Sequence, residues 1–165
     1  MGIRWRLASV NPSRVHKPGT SPLRIGLLAL GMLWTLPNSA AGLLLGCIAL
    51  PFGARMRWQR RERAVVVRCW PWGAGGALTL GNVIVHTGQR LDVACVTYAH
   101  RAGRCVEPAI SLADHERAHV YQYMLLGPLF LPVYLWCGGI SARNPLEHAA
   151  DRYALHGHGW WPWRA

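Results

Sequence analysis

The longest stretch of the chain without a charged side chain constrains its fold most. Residues 25–53 contain no Asp, Glu, Lys or Arg, and arginines flank them on both sides. An uncharged apolar run of more than about 18 residues is a candidate for burial in a membrane. Basic residues collect on the cytoplasmic side of such segments, where anionic lipids attract them. The sequence therefore predicts a basic tail over residues 1–22, a membrane-associated segment over 23–54 and an Arg-rich juxtamembrane linker over 55–63.

A break divides the apolar run into two pieces. Residues 36–39, with the sequence Leu-Pro-Asn-Ser, are typical of a turn because proline and asparagine favour turns. The pieces 25–36 and 40–52 would each extend roughly 18–20 Å as helices, against a hydrocarbon core of about 30 Å. A re-entrant helical hairpin with both ends cytoplasmic fits these lengths, and the basic flanks do not distinguish it from a single tilted span kinked at Pro37. The small residues at 39–41 also allow a cleaved signal peptide.

The charge balance argues against an ordinary soluble domain. Lys and Arg number 18 and Asp and Glu number 7, so the formal net charge is 18 − 7 = +11. Charged residues are only 15% of the chain, against roughly 25% in an average soluble domain. A basic chain with 9 tryptophans could also bind nucleic acid. The arginines, however, bracket an apolar run, which phosphate contacts do not require, so no nucleic-acid partner is expected.

Cysteine usage argues against a disulfide framework. The 5 cysteines are irregularly spaced and form no Cys-x-x-Cys pair, which also argues against a zinc site made of cysteines. Cys95 and Cys105 flank a loop and could pair in an oxidising compartment, whereas a cytoplasmic location predicts free thiols.

After the linker the pattern changes to that of a small α+β domain. β-Branched residues predict a strand over 64–70, and imperfect apolar alternation predicts a second strand over 78–87. A short third strand is expected over 92–98, and helix signals follow it. We therefore expect a short β-sheet with helices over residues 64–158, and a Trp-rich tail over 159–165.

A helix predicted to start after Ser111 presents two metal ligands. Ser111 is placed to cap this helix, with Asp114 at the third helical position. His115 and His119 follow at i, i+4 spacing, which places both imidazoles on one helical face. Two nitrogen ligands in this arrangement suit a tetrahedral Zn²⁺ at about 2.0–2.1 Å. Glu116 projects beside the metal rather than onto it, where it could take a proton from water.

A second predicted helix supplies a third ligand. Asn144 is a typical N-cap, and Pro145 suits the first helical position. A catalytic zinc needs one more protein ligand than two histidines, and Glu147 can provide it. Asp151, one turn later on the same face, can accept the free ring N–H of His115 and hold that ring in one tautomer. Without a metal, Glu147 would merely complement the helix dipole, but four of the seven acidic residues lie in these two helices.

The two motifs together resemble those of the gluzincin metallopeptidases. His115-Glu116-x-x-His119, followed by Glu147-x-x-x-Asp151, is most similar to peptidase family M48 and to the very short minigluzincins. The resemblance implies a zincin-like fold, with a short β-sheet, an active-site helix and a glutamate helix. It implies zinc on the two histidines and Glu147, Glu116 as the general base, and Asp151 as the partner that orients a ligand. It also implies that the strand before the first helix pairs with an extended peptide.

The sequence does not mark one residue as the group that stabilises an oxyanion. Tyr153, His148 and His156 are the candidates, all on the second helix. The chain is far shorter than the M48 enzymes, so little of it is left to build a deep cleft. A zinc protein without proteolytic activity therefore stays open as an alternative.

These expectations combine into a membrane-associated, zinc-dependent metallopeptidase. Its partners would be membrane lipid and a peptide or protein substrate, close to the membrane if the uncharged residues 124–140 enter lipid rather than pack in the core. The location would be a bacterial inner membrane with the zinc domain facing the cytoplasm, or the periplasm if 25–53 is a signal or a single span. The alternatives are a membrane-anchored binding or scaffolding protein with structural zinc, and a basic nucleic-acid-binding protein without metal.

Overall fold

A four-stranded mixed sheet lies at the centre of the structure, a computed structural model that describes residues 21–73, 75–103 and 109–163. Its strands stand in the order β1-β2-β4-β3, with β2 and β4 parallel and the two outer pairs antiparallel. A second sheet pairs two short strands, β5 and β6. The strands are β1 (Arg55–Gln59), β2 (Ala64–Arg68), β3 (Ala77–Leu80), β4 (Val83–His86), β5 (Ala94–Cys95) and β6 (Ile110–Ser111).

Helices cover both faces of the main sheet, so the described chain is an α+β fold. The second helix packs on one face through β4 and β3, and the fourth packs on the other through β3. The sixth helix packs against the fourth. The helices are α1 (Pro22–Trp34), α2 (Leu36–Ala49), α3 (Tyr98–Arg101), α4 (Leu112–Leu126), α5 (Phe130–Trp136) and α6 (Pro145–His156).

Alternation along β2 sends its side chains into two different cores. Val66 packs in a cluster with Ile84 and Val120, between the sheet and α4. Val67, the next residue, packs in a cluster with Ala49, at the end of α2. Because the central strand β4 has neighbours on both edges and helices on both faces, all four of its residues are buried.

The predicted single strand over 78–87 is wrong, because this region is a β-hairpin of β3 and β4. Gly81 and Asn82 form the turn between the two strands. Gly81 has φ of +61°, a left-handed conformation that glycine adopts without a steric penalty. The hairpin leaves β3 at the edge of the sheet, next to α4.

Two other predicted segments differ in the structure. Residues 55–63, expected to be a linker, contain β1, which pairs along its whole length with β2. The strand expected over 92–98 is reduced to β5, because the Thr97 side chain accepts a hydrogen bond from the backbone N–H of His100 and caps α3. The suggested pairing of Cys95 with Cys105 lies outside the described residues, since Cys105 is not among them.

The apolar run forms two helices that bend by 64° at Thr35. The predicted turn at residues 36–39 is instead the first turn of α2, where Pro37 is tolerated because first-turn N–H groups lack an intrahelical acceptor. Within the described residues no single helix is long and apolar enough to cross a bilayer. Taken together, Pro22–Trp34 and Leu36–Phe52 have the length and composition of a broken span or a re-entrant loop.

Close contacts join this helix pair to the sheet. Gly42 lies so near Val83 that a Cβ on the glycine would be 2.7 Å from the valine Cβ. The Thr35 hydroxyl donates to the side-chain oxygen of Asn82, and the Asn82 backbone N–H donates to Ser39 Oγ at 2.9 Å. The bend between α1 and α2 is therefore held by the turn between β3 and β4, and the apolar segment belongs to the same fold as the sheet.

Both motif helices begin at the predicted residues. Ser111 Oγ accepts from the backbone N–H of Asp114 at 3.3 Å, which caps α4. Asn144 Oδ1 accepts from the backbone N–H of Leu146 at 2.9 Å, which caps α6. Because these caps fix where each helix starts, they also fix which side chains α4 and α6 turn towards each other.

Some of the uncharged residues 124–140 pack in the core, and others are exposed. They include the end of α4, a 3₁₀ turn over Gly127–Leu129 and α5. Phe130 packs with Tyr123 and Leu146 in a third core, and Trp161 of the C-terminal tail packs against it. Trp136, at the end of α5, is 92% exposed.

Candidate metal centre

Three side chains from α4 and α6 converge on one point. The ligating atoms of His115, His119 and Glu147 all lie within 4.8 Å of one another. The two histidine Nε2 atoms are 3.1 Å apart. Glu147 Oε2 is 3.2 Å from the Nε2 of His115, and Glu147 Oε1 is 3.6 Å from the Nε2 of His119. All three side chains are buried, and together they could hold a metal ion.

Asp151 lies beside the His115 ring. Its Oδ1 lies 2.9 Å from His115 Nδ1. Because a carboxylate accepts and does not donate, the proton of a neutral His115 ring is on Nδ1. The Nε2 atom then carries a lone pair and points towards Glu147.

Gln122 contacts the His119 ring, and the sequence did not indicate this contact. Its amide nitrogen donates to the backbone oxygens of Leu146 at 3.0 Å and Trp160 at 2.8 Å. Two carbonyl partners fix the orientation of the amide, so its oxygen is the atom 2.8 Å from His119 Nδ1. That oxygen can only accept, so His119 also carries its proton on Nδ1.

The resulting arrangement suits a cation. With both rings protonated on Nδ1, both Nε2 lone pairs face each other and an ionised carboxylate at 3.1–3.6 Å. Three buried acceptors in that state would repel one another, so the position between them favours either a second proton on His115 or a metal ion. The donor set of two imidazoles and one carboxylate therefore fits a divalent cation.

The charges around the site favour the same conclusion. Burial lowers the pKa of His115, but hydrogen bonds to Asp151 and Glu147 outweigh it and raise that pKa well above its ordinary value. Burial raises the pKa of Glu147, but hydrogen bonds to His115 and His119 outweigh it and lower that pKa. The carboxylate therefore stays ionised, and the position between the ligands attracts positive charge.

Glu116 stands beside the three ligands without belonging to them. It is buried in the same cavity, and its Oε2 accepts from the Thr79 hydroxyl at 2.7 Å. Thr79 lies on β3, the strand that the sequence pattern merged with β4. The contact fixes one carboxylate oxygen of Glu116 and leaves the other available to a small molecule in the cavity.

The cavity in front of the ligands has a volume of about 260 Å³ and a largely apolar wall. Leu131 and Leu135 of α5 and Leu78 of β3 contribute to that wall. Three tyrosines, Tyr98, Tyr123 and Tyr134, also line it, and the Tyr134 hydroxyl donates to Glu147 Oε1. Burial, followed by the charge of Glu147, raises the pKa of Tyr134, so this hydroxyl keeps its proton.

The three predicted oxyanion candidates do not line this cavity. The Tyr153 ring packs against Tyr121, with 5.7 Å between the centroids. His148 is exposed, and its Nε2 lies 3.0 Å from the backbone oxygen of Ala142. His156 is exposed at the end of α6. Tyr134 lines the cavity and contacts Glu147, but sequence spacing did not indicate it because it belongs to neither motif.

Comparison with known proteins adds no assignment to this geometry. No family model, no curated protein and no solved structure matches the chain. What defines the site is a buried cluster that could hold a metal ion, next to a carboxylate outside the ligand set and an apolar cavity.

Proposed function

We propose that the protein is a membrane-associated, zinc-dependent metallopeptidase of the gluzincin type. The observation that carries the proposal is the convergence of His115, His119 and Glu147, with Glu116 beside them in one cavity. Two imidazoles and a carboxylate are a set that binds Zn²⁺ and leaves a fourth coordination position open. When bound, Zn²⁺ supplies a Lewis acid that polarises the scissile carbonyl.

Glu116 would carry out the proton transfers of the reaction. Its free carboxylate oxygen would accept a proton from the attacking water as the new carbon–oxygen bond forms. The same carboxyl would then give that proton to the leaving nitrogen as the carbon–nitrogen bond breaks. The hydrogen bond from Thr79 keeps Glu116 in position throughout.

The cavity wall indicates the class of substrate. Because β3 is an edge strand, an extended peptide could pair along its free side, as the gluzincin resemblance implies. The apolar side chains of Leu78, Leu131 and Leu135 favour an apolar residue next to the scissile bond. The Tyr134 hydroxyl contacts the ligand Glu147. We therefore propose that Tyr134 stabilises the oxyanion, the role expected from the sequence of Tyr153, His148 or His156.

Membrane association is supported by the outer surface of α1 and α2. Soluble proteins rarely expose large continuous apolar patches. These two helices and the turn after them expose a row of large apolar side chains: Leu23, Ile25, Leu27, Leu30, Leu33, Leu36, Leu44, Ile48 and Phe52. With arginines on both sides of this segment, we place the zinc domain on the cytoplasmic face of the membrane.

A carboxylate-to-amide exchange at Glu116 tests the proposal. The full chain purified in detergent should contain about one zinc per molecule and cleave quenched fluorescent peptides rich in apolar residues. Glu116→Gln removes the base and keeps the shape, so it should retain zinc and lose at least about 100-fold in cleavage rate. Asp92→Asn, an exposed carboxylate outside the cavity, is the matched control and should cleave normally.

Two results would contradict the proposal. A purified chain without bound metal, and with no uptake of added Zn²⁺, would remove the metal site itself. A chain that holds zinc but cleaves no peptide in a broad library would instead be a membrane-anchored protein with structural zinc.

A further inference from the structure

A second cavity, of about 510 Å³, lies beside the start of β1 and the end of β2, just after the apolar segment. It shares no lining residue with the cavity in front of the metal ligands. Four of its lining residues are the arginines Arg55, Arg57, Arg68 and Arg90, and the other lining residues are uncharged. Neither zinc binding nor peptide cleavage uses any of these arginines.

The strand register forces these positive charges together. Arg55 and Arg68 are direct partners across the β1–β2 pair. Arg57, two residues along β1, projects from the same face of the sheet. Like charges directly opposite each other on neighbouring strands are destabilising. The arrangement therefore gains stability from an anion placed among the guanidinium groups.

The chain does not supply that anion among its described residues. The described ion pairs of arginine with a carboxylate involve Arg61 and Arg117 and none of the four cavity arginines. Arg68 Nε is buried with no hydrogen-bond partner in the described part of the chain. The Gln59 amide can offer its oxygen to Arg68 Nη2 at 2.5 Å, but an amide carries no charge.

The neighbourhood of the cavity indicates where the anion comes from. Gly53, which lines the cavity, directly follows the apolar segment that ends at Phe52. Phe52 is exposed and packs edge-on against Trp72, with 5.1 Å between the ring centroids. Exposed aromatic rings beside arginines, at the end of an apolar helix, are typical of the membrane–water interface.

We propose that this arginine cavity binds the phosphate group of an anionic phospholipid. Guanidinium groups present paired N–H donors that match the oxygens of a phosphate. The inference rests on the membrane association in the proposed function and is independent of the metal centre. A lipid bound here would fix the depth and tilt of the domain at the membrane surface.

Vesicle binding by paired arginine variants tests the inference. The full chain is titrated with vesicles of phosphatidylcholine alone, with added phosphatidic acid, or with an equal surface charge from a fatty acid. Binding should be tightest with phosphatidic acid. Arg57→Gln should weaken that binding about tenfold, because it removes a charge-assisted hydrogen bond. Arg60→Gln removes the same charge from an exposed residue that does not line the cavity, and should change binding less than about threefold.

Several outcomes would overturn the inference. Equal losses in the two variants, or equal binding to the fatty-acid vesicles, would show a response to surface charge rather than recognition of phosphate. Competition by inorganic phosphate with no preference for phosphatidic acid would make the ligand a soluble phosphate. Tighter, Arg57-dependent binding of an oligonucleotide would indicate nucleic acid. Peptide cleavage in Arg57→Gln, measured in detergent, should be unchanged, so a failure here is separable from a failure of the metal centre.

Discussion

At the scale of single residues, the site depends on groups that do not touch the metal position. Asp151 Oδ1 lies beside the Nδ1 atom of His115 and Gln122 Oε1 beside that of His119, so the Nε2 atoms of both rings point inwards. The side-chain amide of Gln122 has one orientation, because its nitrogen donates hydrogen bonds to two backbone oxygens. Asp151 and Gln122 thus orient both rings towards the metal position.

Replacing Gln122 should weaken metal binding without touching a ligand. Gln122→Met keeps the length of the side chain but leaves the Nδ1 proton of His119 without an acceptor. We expect the zinc dissociation constant, measured by competition with a coloured chelator, to rise about 10- to 100-fold. Gln89→Met, at an exposed glutamine, is the control. An unchanged dissociation constant in a folded Gln122→Met protein would show that His119 needs no such partner.

Helical spacing explains which site residues the sequence could predict. His115 and His119 are one turn apart on α4, and Glu147 and Asp151 are one turn apart on α6, so a local pattern places each pair on one face. Thr79 reaches Glu116 across 37 positions of sequence, and Tyr134 reaches Glu147 from a different helix. Such contacts depend on packing between elements, which no local pattern encodes.

At the scale of elements, glycines let α2 approach the sheet. Gly42 faces Val83 of β4, and Gly46 faces Val67 of β2, each too closely for a Cβ to fit without a shift. The two glycines are four residues apart and therefore share one face of the helix. Their lack of side chains determines how close the apolar segment lies to the domain.

Adding one methyl group at this contact should destabilise the protein. In Gly42→Ala the new Cβ would be 2.7 Å from Val83 Cβ, and relieving that overlap should cost about 1–3 kcal/mol of unfolding free energy. Gly26→Ala on α1 is the control, because nothing lies within 4 Å of its Cβ position; it should leave stability unchanged or raise it by about 0.5–1 kcal/mol. Urea unfolding in a mild detergent measures both. Equal effects would mean that α2 does not pack on the sheet.

Local signals predicted where the two motif helices start but not how the elements are arranged. The capping residues Ser111 and Asn144 start α4 and α6 as expected, because a cap acts within a few residues. The hairpin at Gly81 was missed because β3 and β4 together resemble one apolar strand of ordinary length. The docking of α2 on the sheet and of α1 on α4 was missed because the lack of charge in residues 25–53 suits both a membrane and a protein core.

At the scale of the whole molecule, the apolar helix pair contacts the segment that leads into α5, which lines the metal cavity. The bend between α1 and α2 contacts the turn before α5, where Asn38 Nδ2 donates to the backbone oxygen of Gly127 at 3.0 Å. Leu135 and Ile140, in and just after α5, are exposed and also line the metal cavity. A membrane in contact with these surfaces would lie close to the mouth of the cavity, which favours a substrate cleaved near the bilayer.

Removing the most exposed aromatic side chain of α5 should therefore weaken membrane binding while leaving the fold intact. Trp136 is 92% exposed, so Trp136→Ser removes little packing within the protein. It should lower partition into phosphatidylcholine vesicles about tenfold, because one aromatic side chain is no longer buried in lipid. Val93→Ser changes a 39% exposed apolar residue beside the small sheet and should bind as the parent does. Co-sedimentation with vesicles measures both. If Trp136→Ser binds as tightly as the parent, α5 does not enter lipid, and only the surface of α1 and α2 remains to hold the domain at the membrane.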